Sequence, residues 1–278
     1  MPVVATEPEV QTTALGDGLY LFRYGKQQSI FVVGSDGVIA TDPLSSEAAG
    51  AYRKEIAKVT DQSVTHVAYT SSFFDRITGG KIFADEGAEF VAHENCAANL
   101  AATPHAEAIV PNRTYTDHTS ISAGDAALEL YFFGQSYGTC LSVMIARPAN
   151  IMLIHTLVTP PVAMVPADPT IANYYLHNLV PFFVYVEELA AHQGVEQVVG
   201  SITIDDSNPL APAALITEQR VFWDTLLQIV RTEYDNGTPA RVIPKKADMS
   251  PLSNYAGYDP RHIEIMMRRI YSLYRIGR

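Results

Sequence analysis

Two β-rich runs, each followed by helical segments, constrain this chain more than any other feature of its sequence. The first spans residues 19–42: Leu19-Tyr20-Leu21-Phe22, then 29–33, then 38–41, with the turn Ser35-Asp36-Gly37 between the last two. Short apolar segments at that spacing predict an antiparallel hairpin or meander. The second run predicts strands over 128–133, 141–146 and 151–157. Between them the pattern alternates: a helix over 46–59 with Ser45 or Ser46 as N-cap, a buried strand over 64–70, a helix near 80–86, a strand over 89–92 and a helix over 95–101. Strands interleaved with helices of these lengths specify a layered α/β or α+β domain, and two β-rich halves predict two sheets packed face to face.

The remainder completes the layers. Residues 171–191 carry Tyr174, Tyr175, Phe182, Phe183, Tyr185 and Leu189, an aromatic density that fits a buried helix or the wall of a pocket. A strand over 195–204 follows, then a helix over 217–236 that stops at Gly237. Pro260 opens a last helix whose end holds Arg268, Arg269 and Arg275, as the negative end of a helix dipole favours. No repeat, low-complexity stretch or linker interrupts the 278 residues, so one domain over 1–278 with a helical tail over about 215–278 is expected.

Bulk properties exclude several functions. Nineteen Lys and Arg against 30 Asp and Glu give a net charge of -11, which offers no surface for neutralising phosphates, and nucleic acid is not an expected partner. The apolar stretch over 179–186 contains Pro181 and is too short to span a bilayer. The start, Met1-Pro2-Val3-Val4-Ala5-Thr6-Glu7-Pro8, lacks the basic and apolar run of a secretory signal, and a cytoplasmic location is expected. Cys96 and Cys140 form neither a staple framework nor a CxxC pair and read as small buried apolar residues.

Three landmarks carry a resemblance. They are the opening from Gly18-Leu19-Tyr20-Leu21-Phe22 to Ala40-Thr41-Asp42, the segment Thr70-Ser71-Ser72-Phe73-Phe74-Asp75-Arg76-Ile77-Thr78-Gly79-Gly80, and the tail from Phe222 through Asn254-Tyr255-Ala256-Gly257-Tyr258. Together they are similar to the metallo-β-lactamase superfamily over nearly the whole chain, which implies a four-layer αββα sandwich. That superfamily works with one or two metal ions, usually zinc, held by His and Asp. Aligned on Asp75, the HxHxDH histidines fall on Ser71, Phe73 and Arg76. The loop Phe133-Gly134-Gln135-Ser136-Tyr137-Gly138 resembles the one supplying the next histidine, with Tyr137, or Gln135 if shifted, in its place. Thr156 replaces the bridging Asp, His155 the glycine before it, and Ser201 the last histidine. The resemblance thus implies a metal site without its histidines, and the isolated positions of His66, His93, His105, His118, His155, His177, His192 and His262 rebuild none by spacing. No metal and no cofactor are expected.

The replacements are polar, and they motivate a metal-independent enzyme using the vacated cleft for hydrolysis, elimination or isomerisation. His155, Tyr137, Asp75, Arg76, Ser71 and Ser72 form the candidate catalytic pool. Asp75 and Arg76 read either as a charge pair filling the vacated volume or as an acid/base and an anion clamp. His155 is a structural histidine or a general acid/base, and strand alternation turns it from the pocket if Thr156 points in. Phe73, Gln135, Thr156, Ser201, Tyr174 and His177 are candidate substrate contacts, and the aromatic segment points to a small, largely apolar or aromatic molecule. The alternative is a protein of the same fold that binds or regulates without turnover. A third reading is a structural subunit, a homo-oligomer with the helical tail as its contact.

Overall fold

The computed structural model describes residues 8–158, 173–202, 208–255 and 260–277. The expected meander is β2 (Leu19–Tyr24), β3 (Gln27–Gly34) and β4 (Gly37–Thr41), preceded by β1 (Val10–Gly16) on the edge. The pattern did not announce β1 because, as an exposed edge strand, it needs few apolar residues. Helix α1 (Ser46–Val59) starts where Ser45 accepts a hydrogen bond from the Ala48 N–H, the N-cap arrangement expected. Three parallel strands extend the sheet from β4: β5 (Val64–Ala68), β6 (Glu89–His93) and β7 (Arg113–Tyr115). Helices α2 (Phe74–Ile77), α3 (Lys81–Asp85) and α4 (Glu94–Ala102) lie between them in sequence.

The second half holds β8 (His118–Ala123), β9 (Ala126–Phe132), β10 (Ser142–Arg147), β11 (Ile151–Val158) and β12 (Gln197–Ile202), with short β13 (Leu210–Pro212) on β12. Helix α5 (Leu176–Gln193) connects β11 to β12, and α6 (Ala214–Asp235), α7 (Ile243–Lys246) and α8 (Pro260–Ile276) form the tail. Residues 171–172 of the aromatic segment and 203–204 of the expected strand lie outside the described residues.

Side-chain parity builds the layers. In β3, Ile30 and Val32 face one core while Phe31 faces another; in β10, Met144 and Ala146 face the first of these while Val143 and Ile145 face a third. The shared core joins residues of both halves, from Leu21 and Ile39 to Leu128 and Leu153, and is the seam of a sandwich. Outside it, α1, α3 and α4 cover the first sheet with Tyr52, Phe83 and Leu100, and α5, α6 and α8 cover the second with Phe183, Trp223 and Met266. Both sheets are therefore buried on both faces, which explains their continuous apolar runs. Among the described residues the backbone joins the halves where Ile202 at the end of β12 pairs with Gln27 at the start of β3, and where the Ser142 N–H at the start of β10 donates to the Thr70 carbonyl beyond β5.

The reading of Cys96 and Cys140 as separate buried thiols is corrected: they form a disulfide, with Cα atoms 5.4 Å apart and a sequence separation of 44. Spacing alone could not pair them, because the fold brings α4 against the loop that enters β10. Closing a loop of that size removes chain entropy worth about 4 kcal/mol from the unfolded state. A Cys96→Ser/Cys140→Ser variant should accordingly lose a few kcal/mol, of order 2–4, in urea unfolding monitored by circular dichroism; an unchanged midpoint would show that the bridge constrains nothing.

Candidate functional site

Strands of both halves end at a common centre. Asp42 follows β4, Thr70 follows β5, His155 lies near the end of β11 and Ser201 near the end of β12. Helix α2 projects Arg76 into this centre. Successive helix residues point about 100° apart, so Arg76 can be buried while its neighbour Asp75 is exposed. This corrects the expected Asp75–Arg76 pair. Asp75 contributes only its backbone carbonyl, which accepts a hydrogen bond from Gln27 Nε2.

The guanidinium of Arg76 is 2% exposed and spans the seam. Its Nη1 donates to the Ser201 carbonyl at 3.1 Å, and its Nη2 to the Gln28 carbonyl at 2.5 Å and to Asp42 Oδ2 at 3.4 Å. Its Nε finds no acceptor among the described residues. The Asp42 carboxylate, fully buried, accepts bonds from the Thr70 N–H and hydroxyl. Burial pushes the Asp42 carboxyl up, while the Arg76 charge and the Thr70 bonds pull it down. Gln28 adds a second tie across the seam by donating to the Gly200 carbonyl. Arg76 is thus largely committed to its own protein, which leaves only its Nε–H for the anion-clamp role.

His155 sits beside this ion pair. Its Nδ1 lies 3.4 Å from Thr70 Oγ1, whose proton is already given to Asp42, so the imidazole proton belongs on Nδ1 and Nε2 carries the lone pair. Burial first, then the Arg76 charge, holds His155 well below the ordinary histidine value, so the ring is neutral. The β11–β12 register breaks between Ile154 and Val158, and alternation fails there: the His155 ring packs into the cluster of Phe73 and Tyr137. Thr156 Oγ1 is buried without a partner among the described residues.

The other candidates separate. Tyr137 is 8% exposed and packs on Phe73, His155 and Tyr174, which in turn meets Trp223. Tyr174 is therefore core, its phenol pushed well above the usual range by burial and then by Tyr137. Gly138, at a φ of 75°, lets the loop pass the Phe73 ring, which a Cβ would meet at 3.0 Å. Ser71 is buried and its hydroxyl accepts from the Phe73 N–H; Ser201 Oγ donates to the His155 carbonyl. Gln135 and His177 are exposed and stand apart.

A cleft of about 470 Å³ opens next to the centre, on the far side of Phe73. Ser72, Asn99, Thr103 and Asn173 supply its polar lining, and Phe73, Phe74, Leu100 and Ala102 the apolar part. Of the expected site residues only Ser72 and Phe73 reach it. Asn99, Asp42, Thr70 and Gln28 were not singled out by sequence reasoning. Asp42, noted as a strand-terminal landmark, offered the one available signal.

No family model matches the sequence, and no curated protein does. Solved structures do. A metallo-β-lactamase from Pontibacter korlensis is 16% identical with a TM-score of 0.63, the alignment covering 78% of this chain and 99% of that one. The DIM-1 metallo-β-lactamase is 12% identical with a TM-score of 0.62, over 79% and 99%. TMB-1 is 13% identical with a TM-score of 0.63, over 78% and 98%. The chain has the metallo-β-lactamase fold.

The residues present do not fit the metal that fold implies. Among the described residues no three His, Cys, Asp or Glu side chains converge as ligands. The buried cation Arg76 stands at the centre, with an N–H still unmatched, and would repel a dication. Arg76→Met should cost about 3–5 kcal/mol in urea unfolding by leaving the Asp42 charge unpaired, with part recovered in Asp42→Asn/Arg76→Met; additive losses would mean the two do not interact. His155, depressed in the native state, binds fewer protons there than in the unfolded chain. Its stabilising effect is present above 6.5 and is lost as pH falls below that value. His155→Gln should flatten that acid limb in melting curves between pH 7 and 5, against the background of His66 and His93, which burial also lowers.

Proposed function

We propose that this chain is a metal-independent small-molecule-binding protein built on a hydrolase-like scaffold, with its ligand in the cleft beside Phe73. The observation that carries the reading is the internal neutralisation of the old reaction centre. Apart from the Arg76 Nε–H and the Thr156 hydroxyl, the polar side chains there bond to one another and to the backbone, so little polarity is left to stabilise a transition state. Ser72, which does face the cleft, has Asn99 and not a base as its partner, so no activated nucleophile is assembled.

Turnover is the second reading, favoured by one observation. His155 is a neutral imidazole whose Nε2 has no hydrogen-bond partner among the described residues, and it stacks with Tyr137. A base and a phenol side by side are the minimum for proton transfer in an elimination or isomerisation. Phe73 stands between them and the cleft, so this chemistry requires that ring to move. The disulfide belongs to an oxidising environment in either reading, and it weighs against the expected cytoplasmic location. No helix among the described residues is long and apolar enough to cross a membrane.

Excess zinc, iron(II) or manganese should leave the melting temperature unchanged, and protein purified without chelator should carry none of them stoichiometrically. A metal held at 100-fold its Kd would add about 2.7 kcal/mol, a shift easily seen. A panel of lactones, esters, thioesters and aromatic lyase substrates separates the two readings: turnover abolished by His155→Ala selects the enzyme, and stabilisation by a compound that is never converted selects the binder.

A further inference from the structure

We infer that the cleft between residues 72–74 and the C-terminal end of α4 takes an uncharged aromatic molecule carrying a group that both donates and accepts a hydrogen bond, a carboxamide or a hydroxyl. This rests on the ligand-binding reading and names its ligand class.

The polar side of the cleft is specified by its internal bonds. Asn99 Nδ2 donates to Ser72 Oγ at 3.0 Å and to Thr139 Oγ1 at 2.7 Å, which uses both of its hydrogens. The Asn99 Oδ1 then has no partner among the described residues and remains an acceptor. Ser72 Oγ, having accepted from Asn99, keeps its own proton to donate. One donor and one acceptor therefore stand next to each other, the complement of a group that offers the reverse pair. Their positions are set before binding. Thr139 is tied to α4 by the Asn95 side chain and by its neighbour Cys140, which is bonded to Cys96. A preformed pair loses little freedom when the ligand arrives.

The apolar side is equally fixed. Phe73 is backed by Tyr137 at 5.0 Å between ring centroids and Phe74 by His105 at 4.7 Å, so both rings are braced from behind. Rings presented in this way favour a flat aromatic partner. The volume of about 470 Å³ accommodates a one- or two-ring molecule.

Charge is selected against. None of the described lining residues ionises. A carboxylate would meet the negative end of α4 at Ala102 and Thr103 with no cation to offset its desolvation. An ammonium would find only partial charges and ring faces in place of a carboxylate, too little to replace its water.

The test uses benzamide as the probe, with benzoate and benzylammonium as isosteric charged controls, titrated against the full chain by saturation-transfer NMR. Benzamide should bind, and both controls should bind about ten-fold more weakly or not at all. Ala102→Trp, at an exposed helix position on the rim, should block the mouth and weaken benzamide about ten-fold with an unchanged melting temperature. Ser72→Ala should weaken it several-fold by removing the donor. Charged controls that equal benzamide, benzamide that still binds Ala102→Trp, or no benzamide signal up to its solubility limit would each overturn the inference. A compound that stabilises wild type and Ala102→Trp equally would overturn this cleft and ligand class while leaving the broader binding function standing.

Discussion

The guanidinium of Arg76 holds together a fold that its backbone barely joins. Among the described residues one ladder pair, Gln27 with Ile202, and one further backbone bond, from the Ser142 N–H to the Thr70 carbonyl, link the two sheets, and their largely aliphatic shared core is non-directional. Hydrophobic burial presses the sheets together without fixing how they are set. Arg76 fixes β3 against β12, because a planar cation with donors aimed at the Gln28 and Ser201 carbonyls tolerates little sliding, and the Tyr115–Ser142 hydroxyl pair and the Cys96–Cys140 bridge tie the sheets elsewhere. A charge sealed at 2% exposure persists only when paired, and Asp42, itself oriented by Thr70, meets that need.

This arrangement changes what the strand ends are for. Parallel strands usually display their reactive groups there, and here the same positions hold a set of internal hydrogen bonds open only at Arg76 Nε and the Thr156 hydroxyl among the described residues, with a neutral histidine beside it. Space for a small molecule is displaced to the other face of Phe73. The wall of that space is itself organised by a covalent constraint, since the disulfide fastens α4 to the loop that carries Thr139 and Tyr137. Centre and cleft thus share one ring and two loops but not one chemistry.

Much of the fold was legible because it is written in local periodicity. Helices α1, α4 and α6, the meander β2 to β4 and the trio β9 to β11 lie within a few residues of where spacing and caps put them. Edge strands such as β1 and β8 were not, since exposed strands need no apolar run. Of the expected residues, Arg76 and Ser201 share a hydrogen bond and Phe73 and Tyr137 pack on His155, yet the partner of Arg76 is Asp42, thirty-four residues upstream, and not the adjacent Asp75. One turn of α2 reverses those two neighbours, and a register break in β11 turns His155 inward.

By itself the sequence determined the layers: alternating apolar segments must be buried on both faces, and only a helix-covered sandwich does so for two such halves. Tertiary structure alone decided that Cys96 and Cys140 bond, that Arg76 fills the centre, and that Ser72 and Asn99 together line an open cleft. Each of these is a contact between residues more than twenty-five apart in sequence. Periodicity describes which face a residue shares with its near neighbours and carries no information on which distant face will meet it.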